Sequence, residues 1–265
     1  MFKKAAFLVL LVLSFMACDK NDDDQAQQNT PVSVGFLHSF YEDEVSVSSN
    51  TIQYTNGFGT SLSITRLRYL ISQVSFTNQD GIKTLVKDYH LVDLSQDNSL
   101  TINDILLPPG AYNLKMRFGF TEATNTSSIY PDLNAASWNV PENLGGGYHY
   151  MQLEGRWLDP GDTPDEPYLY AYHTISAVQN PGPENTREDT SIEIDLGEIT
   201  VTQGATQINV NMRIDQWFEN PNLWNLSELN GLLMGNYTAQ KMMQENGQNV
   251  FSLANLYHIG KKKCN

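Results

Sequence analysis

The run Tyr112, Leu114, Met116, Phe118 and Phe120 constrains this chain more than any other feature. These large apolar side chains alternate with Asn113, Lys115 and Arg117, so an extended backbone carries all of them on one face. A helix would scatter them around its circumference. The same period of two recurs where Val32, Val34, Phe36, His38 and Phe40 alternate with Ser33, Gly35 and Ser39. Leu62 and Ile64 lead into a longer apolar strand over 67–76, which ends at the turn sequence Asn78-Gln79-Asp80-Gly81. Further strands are expected at 89–94, 148–157, 168–173, 191–196, 198–202 and 207–214, with Pro108-Pro109-Gly110 as a turn. The pattern predicts an all-β fold, an antiparallel β-sandwich. Long loops are expected at 121–147 and 176–190. A short C-terminal helical segment is expected within 226–246, where Leu226, Leu229, Leu232 and Leu233 fall at helical spacing and 239–245 contains good helix formers.

The first residues address the chain. Lys3 and Lys4 precede an apolar stretch over 5–15 that is short for a membrane span, and small Ala17 comes just before Cys18. This resembles a bacterial lipoprotein processing site. It implies a signal peptide at 1–17, lipidation of Cys18, and a flexible tether over 18–30 before a single domain at 31–265. Asp19-Lys20-Asn21-Asp22-Asp23-Asp24 resembles the export tag of Bacteroidota surface lipoproteins. The expected location is therefore the outer membrane, lipid-anchored and exposed at the cell surface.

Charge and motifs exclude several classes. With 30 acidic and 16 basic residues, the chain is a poor partner for nucleic acid, whose binding depends on basic side chains. If Cys18 is lipidated, Cys264 has no intramolecular partner. No G-x-S-x-G, H-E-x-x-H, Walker loop or paired C-x-x-C occurs, so no independent enzyme is expected.

The five histidines are His38, His90, His149, His173 and His258. Alternation places His38 with Val34 and Phe36, His149 with Met151 and Leu153, and His173 with Leu169 and Ala171, opposite Tyr168, Tyr170 and Tyr172. Three imidazoles on apolar faces suggest a shared metal site. Copper, zinc and iron all suit imidazole, so the residues alone do not choose the metal.

Several segments carry a resemblance to a known family. They are 34–38 (VGFLH), 67–74 (LRYLISQV), Ser137-Trp138, 147–155 (GYHYMQLEG), Tyr172-His173 and 211–218. Together they resemble the MbnP-like copper-binding proteins, the methanobactin-associated and copper-repressible surface-protein type. The resemblance implies a copper ion, as Cu(I), held by two histidines and a tryptophan oxidised to kynurenine. The matching residues here are His38, His173 and Trp138. It places His149 and Met151 as supporting or alternative ligands, and it implies a MauG-like dihaem peroxidase as the oxidising partner. An intact indole N–H only donates, whereas the amine freed by ring opening has a lone pair. Many relatives carry a W-x-W unit, whereas here Trp138 is followed by Asn139-Val140. The other reading of the residues is a surface module without metal, binding glycans or proteins through some of its thirteen tyrosines.

Overall fold

The computed structural model of the chain describes residues 28–45, 47, 51–162 and 166–254. The expected signal segment, Cys18, most of the expected tether, His258 and Cys264 lie outside the described residues. In chain order the strands are β1 (Thr30–Phe40), β2 (Asp43–Glu44), β3 (Tyr54–Thr55), β4 (Ser61–Leu62), β5 (Arg66–Asn78), β6 (Lys83–Asp93), β7 (Thr101–Leu107), β8 (Gly110–Phe118), β9 (Met151–Leu158), β10 (Tyr168–Thr174), β11 (Ala177–Gln179), β12 (Thr186–Glu188), β13 (Ile192–Val201), β14 (Thr206–Arg213) and β15 (Phe251–Leu253).

They build two large sheets. The smaller has the order β15-β14-β1-β2, with β7 also paired to β1. The larger runs β13-β8-β5-β9-β4-β3, with β6 on the free edge of β5 and β10 on β9. Facing apolar side chains fill the space between them. They include Phe36 and Val210 from one sheet, and Leu67, Ile71, Phe118 and Leu153 from the other. The alternation on β8 is realised directly: Tyr112, Leu114, Met116 and Phe118 are buried.

The fold differs from the sequence expectation in five places. First, β1 and β14 run parallel, Val34 opposite Ile208 and His38 opposite Met212, in an otherwise antiparallel fold. Second, the segments expected at 191–196 and 198–202 are one strand, β13. A bulge at Leu196 interrupts its pairing, and Gly197 adopts φ +83°. Third, the 176–190 loop contains the hairpin β11–β12. Fourth, β7 was not anticipated, because the bulge at Asp104, with φ +63°, breaks its alternation. Fifth, the leucines of 226–233 form no α-helix. Leu232 is 97% exposed with φ +56°, and only the 239–245 part of the expected segment is helical, in α2 (Tyr237–Gly247), which Asn236 caps by accepting from the Ala239 N–H. The short helix α1 (Pro131–Ala135) lies inside the 121–147 loop.

The 121–147 loop closes over the outer face of the large sheet. Asn125, fully buried, ties it down by accepting from the Tyr148 N–H (2.8 Å) and donating to Ser176 Oγ (3.2 Å). Arg187 from β12 donates to the Asn125 and Gly145 carbonyls. Gly145, Gly146 and Gly147 have φ of +95°, +65° and +74°, a path that L side chains rarely follow. A Cβ on Gly147 would lie 2.5 Å from Asn125 Oδ1, so glycine is required where the chain returns toward β9.

Candidate metal centre

Trp138 is placed by the end of α1. The Ser137 N–H bonds the Asn134 carbonyl and the Trp138 N–H bonds the Leu133 carbonyl, while Ser137 takes a left-handed φ of +55°. This is a Schellman termination, and it brings the two ends of the motif together as a buried pair, Leu133 and Trp138. The chain then forms a bridge between Asn139 and Tyr148, which sets His149 beside Trp138.

The Trp138 carbonyl accepts from the His149 N–H and lies 3.0 Å from His149 Nδ1. A carbonyl only accepts, so Nδ1 carries the proton and the neutral ring has its lone pair on Nε2. Burial pushes the His149 pKa down from 6.5 to about 4. The Trp138 carbonyl and Glu154 oppose that shift, while His173 and Arg68 add to it. His149 is therefore neutral near pH 7.

His173 lies on β10 opposite Gln152 of β9, with its Nε2 2.9 Å from Glu154 Oε1. Glu154 has a pKa held below the ordinary carboxylate value, first by that hydrogen bond and also by Arg66. As a carboxylate it accepts, so Nε2 of His173 donates, and Nδ1 is the nitrogen left to bind a metal. The two imidazoles meet edge to face, with centres 5.5 Å apart. The indole of Trp138 is centred 5.6 Å from His149, and its buried Nε1 has no hydrogen-bond partner among the described residues.

Arg68 of β5 completes the cluster. Its guanidinium carbon sits 5.0 Å from the Trp138 ring centre, and it donates to the Ala136 carbonyl and to Gln152 Oε1. Neither Arg68 nor Glu154 was singled out from the sequence. Each is a charged residue within a strand with buried residues on either side, which is the signal that marks them.

The structure thus brings Trp138, His149 and His173 together and places His38 and Met151 elsewhere. Residues paired across antiparallel strands share a face, and neighbours along a strand take opposite faces. Arg68, Gln152 and His173 are aligned on the outer face. Tyr69, Met151 and Thr174 are aligned on the inner one. His38 Nε2 bonds the Tyr69 hydroxyl at 2.9 Å between the sheets. Burial lowers its pKa to about 3.

The facing expected for β10 is corrected. Tyr170 and Tyr172 point into the core, donating to the Ser63 and Trp217 carbonyls, while Leu169 is 69% exposed. His173 is therefore on the outer, half-buried side. The tyrosines win the interior because each buries a large ring and still satisfies its hydroxyl.

Among the described residues, no three His, Cys, Asp or Glu side chains are grouped to hold a metal ion. A site here would rest on two imidazoles and a donor of another kind. An ion about 2 Å from a ring nitrogen lies about 3 Å from the ring centre, so two ligating imidazoles have centres up to about 6 Å apart. The observed 5.5 Å falls within that limit. Each ring also has its other nitrogen engaged by an acceptor, the usual arrangement for orienting a metal ligand.

Three comparisons bear on this arrangement. The family model MbnP matches residues 29–263. A comparison with curated proteins gives no match. Among solved structures, MbnP from Methylosinus trichosporium is similar, with a TM-score of 0.50 and 15% identity over 74% of this chain and 80% of that one. At that identity the likeness concerns the fold.

Proposed function

Since the chain belongs to the MbnP family, we propose that it binds one copper ion, as Cu(I), in the cluster on the outer face of the large sheet. His149 Nε2 and His173 Nδ1 are the imidazole donors. Trp138 is the third residue, supplying an amine once its ring is opened to kynurenine by a MauG-like dihaem peroxidase partner. The reading rests on one observation. Two adjacent imidazoles each have one nitrogen bound to an acceptor, which leaves the other free, and His149 packs against a buried indole whose N–H has no partner among the described residues.

The chemistry suits Cu(I). Two neutral nitrogens and a neutral amine form a low-coordinate site without anionic oxygen ligands, which harder ions prefer. His149, already neutral near pH 7, gives up no proton on binding. The proposed role is copper capture or homeostasis at the cell envelope, without catalysis, by a protein held at the outer membrane through lipidated Cys18.

The test is a Cu(I) competition titration of the chain and its variants, with the mass of the Trp138 peptide recorded on each sample. His149→Ala and His173→Ala should each weaken binding at least about tenfold, the loss of one good ligand. His38→Ala, folded, should retain it. Loss in His38→Ala with retention in His149→Ala would return the site to the inner face. No tight binding even when Trp138 is oxidised would refute the copper reading.

A further inference from the structure

We infer that Arg68 sets the charge preference of this site, offsetting Glu154 so that a monovalent ion is favoured over a divalent one. The inference rests on the site proposed above. The charged groups around it come from three elements. Arg66 and Arg68 lie on β5, Glu154 on β9, and Asp93 of β6 is aligned with Arg68 on the side away from β9. Arg66 pairs with Glu154 at 3.1 Å, but its side chain is half in solvent, so its charge is partly screened. Arg68 is more enclosed, stacked on Trp138 and tied to Ala136 and Gln152.

Holding the loop is not enough to explain an arginine at this position. Its Nε is buried with no hydrogen-bond partner among the described residues, so the cation is placed at some cost. Yet this cation faces a cluster that already holds one carboxylate. Glu154 alone would attract any metal ion, and a divalent one twice as strongly as a monovalent one. Arg66 and Arg68 together offset Glu154 and Asp93, so the neutral donors decide, and Arg68 is the more enclosed of the two cations.

Coulomb energy scales with the charge of the ion, whereas lost packing weakens all ions alike. Cu(I) and Zn(II) affinities are therefore measured on the same preparations of the full chain, for wild type, Arg68→Gln, Arg68→Lys and Glu154→Gln. Removing one partly buried charge should shift the Zn(II):Cu(I) affinity ratio by about tenfold. Arg68→Gln should raise the ratio, and Arg68→Lys should restore it toward wild type. Glu154→Gln keeps an acceptor for His173 and should lower the ratio. If Arg68→Gln does not fold, Glu154→Gln against wild type decides. A ratio unchanged in the folded variants, with both affinities reduced together, would mean that Arg68 only packs. If the wild type binds no Cu(I), the site assignment itself fails and this inference fails with it.

Discussion

Lowering the pH should destabilise this protein through His38, by an amount that the structure allows to be worked out. His38 is buried between the sheets with Nε2 on the Tyr69 hydroxyl, and its pKa falls to about 3 from an ordinary 6.5. Tyr69 is itself fully buried, and burial raises its pKa well above 10, so it cannot release a proton to balance a charged imidazole. A base with a depressed folded pKa favours the folded state fully above its unfolded pKa and loses that contribution as pH falls toward the folded value. The window therefore runs from about 6.5 down to about 3. At pH 4.5 the unfolded chain holds the proton across about two pH units in which the folded chain does not, equivalent to about 3 kcal/mol. The assay is urea unfolding at pH 7 and pH 4.5 for wild type and His38→Gln, whose amide does not titrate in this range. Carboxylates and His149 titrate in both proteins, so the difference between the two pH slopes isolates His38. The variant should lose about 2–3 kcal/mol less than wild type over this interval. Parallel losses would refute a buried, neutral His38.

Three other substitutions follow from close contacts and strained backbone. In Gly155→Ala the new Cβ would lie 1.9 Å from the Ser63 carbonyl oxygen, so β4 and β9 must separate; urea unfolding should show a loss of at least about 2 kcal/mol. In Asn125→Ala the Tyr148 N–H loses its buried acceptor and Ser176 keeps only Tyr150, costing about 1–3 kcal/mol. Because that loop carries Trp138 and leads into His149, Cu(I) affinity should fall together with stability. Leu232→Asn should raise the melting temperature slightly, since Leu232 is 97% exposed at φ +56° and asparagine tolerates that conformation better.

Much of the fold was legible because alternation is a local property. Strands β1, β5, β8, β9 and β10 can be read from their own residues, as can the glycine turn before Tyr148. The candidate site was legible only in part. Trp138, His149 and His173 stand out as residue types, but their grouping depends on a 27-residue loop, 121–147, with no period to read.

The sequence by itself determined that the chain is a β-protein, where most of its strands run, and which side chains share a face where no bulge intervenes, although His149, outside β9, left the face of Met151 and Leu153 that alternation gave it. Tertiary structure decided which face of each strand is inside. Period two defines two faces but does not label them: Tyr170 and Tyr172 against Leu169 and His173 is a choice that core packing settled. Tertiary structure also decided that β9 is covered on both faces, because the loop carrying Trp138 folds over it and encloses Gln152 as well as Met151 and Leu153. That cover joins His149 to His173 and separates both from His38, through contacts between segments far apart in the chain that no local pattern encodes.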